Sequence, residues 1–180
     1  MSKEIAAILA VGPKGIIGKG DKLVWHSAVD FKHFKSITSG NACLFGSTTF
    51  FGLPVYPLSN RLNIVLDNTI KKTSELNTGG YLVFKDMKKA LAFCDNYDKV
   101  FFCGGKSIYE YVFNNNLINT LYLTKITSKQ LEEEAKNNLD KYVCINIDFN
   151  HLNGWTCAES QSEIKEGDLS IKFLKYVRKE

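Results

Sequence analysis

The sequence predicts an α/β fold: a single domain with a mostly parallel central sheet flanked by helices and an antiparallel C-terminal hairpin. Three observations lead there. Short apolar runs alternate with helix-patterned segments up to about residue 115. Two of those runs, Ala42-Cys43-Leu44-Phe45 and Val100-Phe101-Phe102-Cys103, end in glycine and pass straight into a helix start. Beyond residue 120 strand follows strand, with a turn signal at Lys165-Glu166-Gly167-Asp168. The 180 residues form one domain, 1–180, long enough for a substantial core.

Taken in order, Ile5 to Val11 reads as a strand buried on both faces. Residues 12–22 hold four glycines and form a loop suited to covering a site. A helix begins after Ser27. The strand 42–45 runs into Gly46-Ser47-Thr48-Thr49, where free backbone N–H groups can hold an anion. A proline-marked loop, Pro54 to Arg61, leads to the strand Leu62 to Leu66, which Asp67-Asn68-Thr69 closes. Tyr81 to Phe84 is a strand and Met87 to Cys94 an amphipathic helix. The strand 100–103 then meets Gly104-Gly105-Lys106-Ser107-Ile108-Tyr109. Adjacent glycines permit close backbone approach to a ligand, and the next N–H groups can bind phosphate. Thr120 to Ile126 is a strand, residues 128–142 are polar and partly helix-like, and Tyr142 to Ile147 reads as a further strand. Trp155 to Gln161 and Leu169 to Arg178 complete the hairpin. Gly15-x-x-Gly18-x-Gly20 has the wrong order for the dinucleotide fingerprint, so an ordinary Rossmann domain is excluded.

Composition narrows the function classes. Hydrophobic residues make up 44% and charged residues 23%, the balance of a soluble globular domain. The net charge of +4 is spread out and the longest charged run, Glu132-Glu133-Glu134, is acidic, so nucleic acid is not an expected partner. Cys43, Cys94, Cys103, Cys144 and Cys157 form no C-x-x-C pair and are odd in number, as expected of free thiols in a reducing cytoplasm. His26, His33 and His151 lack metal-ligand spacing, so no metal is expected. The first apolar run, seven residues long, is far short of a membrane span. These features fit a cytoplasmic monomer acting on small molecules.

The stretch Leu23 to Ile37 carries the first hint of chemistry. Ser27 is a good N-cap and Asp30 stands three residues on, the spacing of a capping box. On a helix, Asp30, Phe34 and Ile37 share a face, with Phe31 beside them. A carboxylate at the edge of an aromatic stripe, just after Trp25, is costly unless something hydrogen-bonds it. A plain capping role and a substrate-binding role are both open at this point.

Together these stretches resemble dihydrofolate reductase. The pieces are Ile5-Ala6-Ala7, Ile17-Gly18, Trp25 followed five residues later by Asp30, Phe31-x-x-Phe34-Lys35, Gly46-x-x-Thr49-Phe50, Pro57-Leu58-x-x-Arg61, Gly104-Gly105-x-x-Ile108-Tyr109 and Leu121-Tyr122-Leu123-Thr124. The match runs nearly end to end, with 127–150 its weakest part. It implies NADPH as cofactor and hydride transfer to a dihydropterin, in the service of tetrahydrofolate synthesis. Asp30 would hold the pterin N3/2-amino edge, Trp25 an ordered water, and Tyr109 a dipole near the transferred hydride. Ile5 and Cys103 carbonyls would face the pterin, with Thr124 reaching it through water. Phe31, Phe34 and Leu58 would line the substrate, Arg61 would pair with its α-carboxylate, and Lys35 would help at a longer tail. Ala7 and Ile17 would bracket the nicotinamide next to Gly18. Gly104, Gly105, Lys106, Ser107 and Ile108 would cradle pyrophosphate, as would Gly46, Ser47, Thr48 and Thr49. Leu66, Asp67 and Asn68 would meet the adenosine end.

The chain departs from the family pattern in four places. Val24 stands where proline usually precedes the tryptophan. Ser47-Thr48 replaces basic residues, and Asp67-Asn68 replaces the Ser or Arg near the 2′-phosphate. Asp148-Phe149 is a poor substitute for the late acidic-aromatic-proline segment. The second and third departures imply only a modest preference for NADPH over NADH, with Lys71, Lys72 and Lys106 as candidate offsets. A same-fold pyrimidine reductase of riboflavin synthesis would have no need of Trp25, Asp30, Phe34 and Arg61. A catalytically silent nucleotide-binding or structural module would have no use for a desolvated carboxylate.

Overall fold

Strand β1 (Glu4–Val11) lies in the middle of the sheet, as a run of small and branched apolar residues should. The protein is described from a computed structural model, which covers residues 2–69 and 79–179. A 3₁₀ turn at Pro13–Gly15 leads to β2 (Ile16–Gly18), then come α1 (Ala28–Thr38), β3 (Ala42–Gly46), α2 (Ser47–Phe51), β4 (Leu62–Leu66) and β5 (Leu82–Phe84). They are followed by α3 (Met87–Phe93), β6 (Lys99–Phe102), α4 (Lys106–Asn114), β7 (Thr120–Thr127) and α5 (Lys129–Asn137). Four strands close the chain: β8 (Val143–Cys144), β9 (Trp155–Ser160), β10 (Ile164–Glu166) and β11 (Leu169–Arg178).

The main sheet runs β10-β11-β7-β1-β6-β3-β4-β5, with β9 also paired to β11. Every pair from β7 to β5 is parallel, and β11 is antiparallel to β7, β9 and β10. This is the fold class expected from the sequence. Alternation along β1 divides the interior in two. Ala7, Leu9 and Val11 join Leu44, Phe102, Leu121 and Leu123 under α3 and α4. Ala6 and Ile8 join Cys43, Phe45, Phe101 and Cys103 on the opposite face, where Phe34 and Ile37 of α1 and Phe50 of α2 pack. The connections leaving β1 and β6 run opposite ways, towards β3 and β7. Such a reversal opens a crevice at the strand carboxyl ends.

Three sequence readings are corrected or sharpened. The strand expected at 142–147 shrinks to Val143–Cys144, which pairs with β2 outside the main sheet. The segment 128–142, read as polar and partly helix-like, gains bounds: it contains α5, capped where the Ser128 hydroxyl accepts the Leu131 N–H at 3.1 Å, and a 3₁₀ turn at Leu139–Lys141. Only Leu131 and Ala135 of α5 are buried, too few to mark a stripe. The C-terminal hairpin has three segments instead of two. Lys165 and Glu166 belong to β10, with Glu166 opposite Leu169, so Gly167-Asp168 alone makes the turn.

Candidate active site

Ser27 caps α1 as expected: its backbone is extended (φ −136°, ψ 113°) and its Oγ accepts the Asp30 N–H at 3.0 Å. The reciprocal half of the capping box is not made by Asp30. The half-buried Asp30 carboxylate instead faces the hydroxyl of Thr124 on β7. Burial pushes the Asp30 carboxyl above the usual carboxylate range, the Thr124 hydroxyl opposes this, and the negative charge of Glu166 adds to it. The exposed side of the helix start goes to Glu166 of β10, which accepts from the Ser27 hydroxyl, from Ala28 N–H at 2.9 Å and from Val29 N–H at 3.3 Å.

Around this carboxylate the apolar wall is built from two elements. Phe34 packs with Leu58 and Cys103 on the α1 side of the sheet. Phe31 is 38% exposed, its ring 5.6 Å from that of His26, so it lines the mouth and not the floor. Lys35 is exposed on the same helix. Trp25 is buried beside Ile16, Ile126 and Phe173, and the described residues offer its indole Nε1–H no acceptor. Burial raises the Cys103 thiol well above its ordinary value, with Cys43 adjacent.

Arg61 is pinned. Its Nε donates to Ser59 O at 2.9 Å, one terminal nitrogen donates to Thr38 Oγ1 at 3.2 Å, and its guanidinium lies 6.0 Å from the Phe34 ring centre. The loop that carries it is held by buried Asn63, which accepts from Leu58 N–H (2.9 Å) and donates to Leu58 O (2.9 Å) and Arg61 O (3.0 Å). Sequence reasoning passed over Asn63, although an amide inside the apolar strand 62–66 is a legible signal.

The expected positions along β1 are displaced. The Ile5 carbonyl accepts the Asn119 N–H at 2.8 Å and the Ile5 N–H donates to the Asn119 side chain at 3.1 Å, so Ile5 is occupied at the amino end of the strand. Ala7 is fully buried among core residues. The residues beside Thr124 and Tyr109 are Ala10, opposite Thr124 in the ladder, and Ile8, whose carbonyl accepts the Tyr109 hydroxyl at 2.7 Å. With a strand rise of ~3.3 Å per residue, Ile5 is roughly 16 Å short of Ala10. It is thus Ile8 and Ala10, and not Ile5 and Ala7, that stand beside Tyr109 and Thr124.

On the other side of the crevice the two strand–glycine–helix junctions touch. Gly46 N–H donates to Gly104 O at 2.7 Å. The Gly104–Gly105 peptide is cis and Gly104 has φ 117°. A Cβ on Gly105 would lie 2.7 Å from Thr49 Oγ1, and one on Gly104 3.3 Å from the Tyr109 hydroxyl. Only glycine fits between these groups. Gly105 caps α4 without a side-chain hydrogen bond, so the first N–H groups of that helix, from Lys106, Ser107 and Ile108, have no capping side chain. Lys106 Nζ lies 3.9 Å from Glu110 Oε1. Ile108 and Ile17 pack on the α4 side of the sheet, and Gly18 ends β2, where an added Cβ would lie 2.9 Å from Lys22 O. At the end of β4, Leu66 is buried and Asn68 exposed. Asp67 accepts the Thr69 N–H at 2.9 Å and hydroxyl at 2.6 Å, which, with the nearby Ser47 hydroxyl, hold its pKa below the usual value. Thr48 is exposed on α2. Lys71 and Lys72 lie outside the described residues.

The described residues contain no cluster of metal-ligating side chains and no helix long and apolar enough to cross a membrane. A carboxylate at one end of the crevice and a glycine-lined helix start at the other define a nucleotide-dependent α/β enzyme. The family model for dihydrofolate reductase matches residues 4–178. The chain is 36% identical over 122 residues to the dihydrofolate reductase of Bacillus subtilis, covering 68% of each. It is 31% identical over 198 residues to the bifunctional dihydrofolate reductase-thymidylate synthase of Paramecium tetraurelia, matching 99% of this chain but only 40% of that protein. A solved dihydrofolate reductase from Enterococcus faecalis, complexed with NADP(H) and RAB-propyl, superposes with a TM-score of 0.77 at 26% identity, covering 98% of this chain and 97% of the other. The chain belongs to the dihydrofolate reductase family.

Proposed function

We propose that this protein reduces 7,8-dihydrofolate to 5,6,7,8-tetrahydrofolate with NADPH. The observation that carries the reading is the Asp30 carboxylate, half-buried, raised in pKa and facing Thr124 at the carboxyl end of the central strands. No packing role requires such a group, whereas a pterin presents it with the N3/2-amino fork of donors. The glycine junction fits the cofactor: Gly46, Gly104 and Gly105 leave room a side chain would fill, and the uncapped start of α4 offers N–H groups to a pyrophosphate.

NADPH, when bound, supplies the hydride. The rest is the work of this chain. Asp30 orients the pterin edge, and its raised pKa favours a proton held near the ring whose N5 must be protonated. Thr124 fixes the carboxylate. The Trp25 indole N–H, lacking a protein acceptor, suits a water at the floor. Phe31, Phe34 and Leu58 pack on the substrate and Arg61 offers its remaining terminal N–H donors to the α-carboxylate. Ile8 and Cys103 line the pterin side, and Tyr109, donating to Ile8 O, stands next to Gly104. The direct test is oxidation of NADPH on addition of dihydrofolate; a protein that folds yet consumes no NADPH would refute the reading. Buried, unpaired Cys43, Cys94 and Cys103 support a reducing cytoplasmic setting, and the reading takes the chain as a monomer.

Loop 12–22 acts as a lid in this reading. It is tied down sparsely: Gly15 O accepts Ile145 N–H at 2.8 Å, Gly12 N–H donates to Ile16 O at 2.7 Å, and β2 pairs only with the two-residue β8. Amide hydrogen exchange over 12–22 is expected to slow when NADPH and folate bind together. Unchanged exchange in the ternary complex removes the lid.

Cofactor choice turns on Asp67. Its carboxylate, ionised and fixed by Thr69 beside Ser47, favours a free ribose hydroxyl over a 2′-phosphate. Asp67→Ser is expected to raise the ratio of kcat/KM for NADPH over NADH, by no more than about fivefold because the group is exposed. The measurement belongs at low ionic strength. A ratio that does not move would mean the carboxylate points away from the adenosine end.

A further inference from the structure

We propose that Glu166 is a positioning residue for this reaction: through its carboxylate the β10–β11 hairpin fixes the first turn of α1, and with it the placement of Asp30 against Thr124. The proposal rests on the function given above. Glu166 gathers three donors from one helix start, the Ser27 hydroxyl and the Ala28 and Val29 N–H groups. Ser27 is the pivot. Its Oγ donates to Glu166 and accepts from Asp30 N–H, so the Asp30 backbone is two hydrogen bonds away from the hairpin. Ser27 is 1% exposed, so water does not replace Glu166 as its acceptor. An anion at this end of a helix also complements its dipole.

The two carboxylates titrate in opposite directions. The Ser27 hydrogen bond, then the backbone N–H groups and His26, hold Glu166 below its usual value. Burial raises Asp30, and the nearby Glu166 charge pushes the same way. The groups that bear on Asp30 are Glu166 from β10, Tyr109 from α4 and the hydroxyl donor Thr124 from β7; those that bear on Glu166 are Asp30 and His26. Lys165, next to it on the hairpin, is engaged with Glu163 at 3.0 Å and with Ser170. Glu166 thus stays ionised and keeps its neighbour protonatable, the division of labour that separates paired carboxylates in acid–base sites.

The test uses the full chain and two variants. In Glu166→Gln an amide oxygen still accepts from α1 but the charge is gone. The Asp30 carboxyl, followed by carbon NMR and assigned with Asp30→Asn, is expected to titrate at lower pH than in wild type. The alkaline fall of kcat/KM for dihydrofolate is expected to move down with it, while kcat at low pH stays near wild type. In Glu166→Ala the bridge is lost as well, and kcat is expected to drop about three- to tenfold at every pH, the scale of a lost cap. An Asp30 titration that neither Glu166→Gln nor Glu166→Ala moves overturns the proposal, whatever the turnover. So does a Glu166→Ala protein with a lowered Tm but wild-type kcat and pH profile, which would make Glu166 a structural cap and nothing more. If the titration moves but wild type oxidises no NADPH with dihydrofolate, the function assigned above is what fails.

Discussion

Asp30→Asn yields a folded protein whose kcat at pH 7 is lower by about 10²–10⁴-fold, the usual contribution of a positioned acid–base group. No other carboxylate or imidazole shares its contact with Thr124 among the described residues, so nothing takes over its role. Part of the loss returns at low pH, where the substrate arrives protonated from solvent. The stability change runs the other way. Because burial raises the Asp30 pKa, the folded protein favours the protonated carboxyl, and ionisation above that raised value costs stability. Below the ordinary carboxylate range the group is protonated in both states and the cost disappears. The asparagine variant is therefore at least as stable as wild type at pH 7, and the two converge as pH falls. A variant with near-normal kcat at neutral pH would show that Asp30 is not the group that matters.

Arg61→Ala weakens dihydrofolate binding by about 2–5 kcal/mol, the range for truncating one partner of a buried charge pair. The magnitude follows from how the side chain is held. Bonds to Ser59 O and Thr38 Oγ1 already fix the guanidinium, so little conformational freedom is lost when a carboxylate docks. NADPH binding is expected to be unchanged, because the glycine junctions proposed to hold it lie on other loops. A pterin lacking the glutamate tail is the control, and it binds both proteins equally. Equal losses for folate and for the tailless pterin would rule out a carboxylate clamp.

What could be read from the sequence was what is encoded locally. The start of α1 was legible because Ser27 sits immediately before the apolar spacing begins, and the glycine junctions because Gly46 and Gly104-Gly105 interrupt fully apolar strands. Register within β1 was not. A strand buried on both faces carries no alternation, so Ile5-Ala6-Ala7 and Ile8-Leu9-Ala10 look equally suited to the site until Thr124 and Tyr109 pick out Ile8 and Ala10. The bounds of polar α5 were hidden for the opposite reason, since it buries only two side chains. Glu166 left no local trace at all. It meets Ser27 across 139 positions of chain, and nothing in the residues around it distinguishes it from any hairpin glutamate. The same distance explains the misread capping box. The spacing Ser27-x-x-Asp30 was right and the Ser27 Oγ bond to the Asp30 N–H forms, but Glu166 takes the Ala28 and Val29 N–H groups and the Asp30 carboxylate turns to Thr124.

The central position of β1 has a consequence for how the chain is made. Its two neighbours are β6 and β7, so Glu4 waits for Lys99 and Ala6 for Thr120. At ~5–20 residues per second, the first strand to leave the ribosome stays without either partner for roughly 5–20 s. During that time it is an unpaired apolar segment with both ladder edges open, the kind of strand that nascent-chain chaperones retain. Early events are left to β3 and β4, which pair Ala42 with Leu62 across only a short stretch of chain. Assembly of this sheet therefore begins away from its middle, and the strand that ends up between β6 and β7 is the one that emerges first and is inserted late.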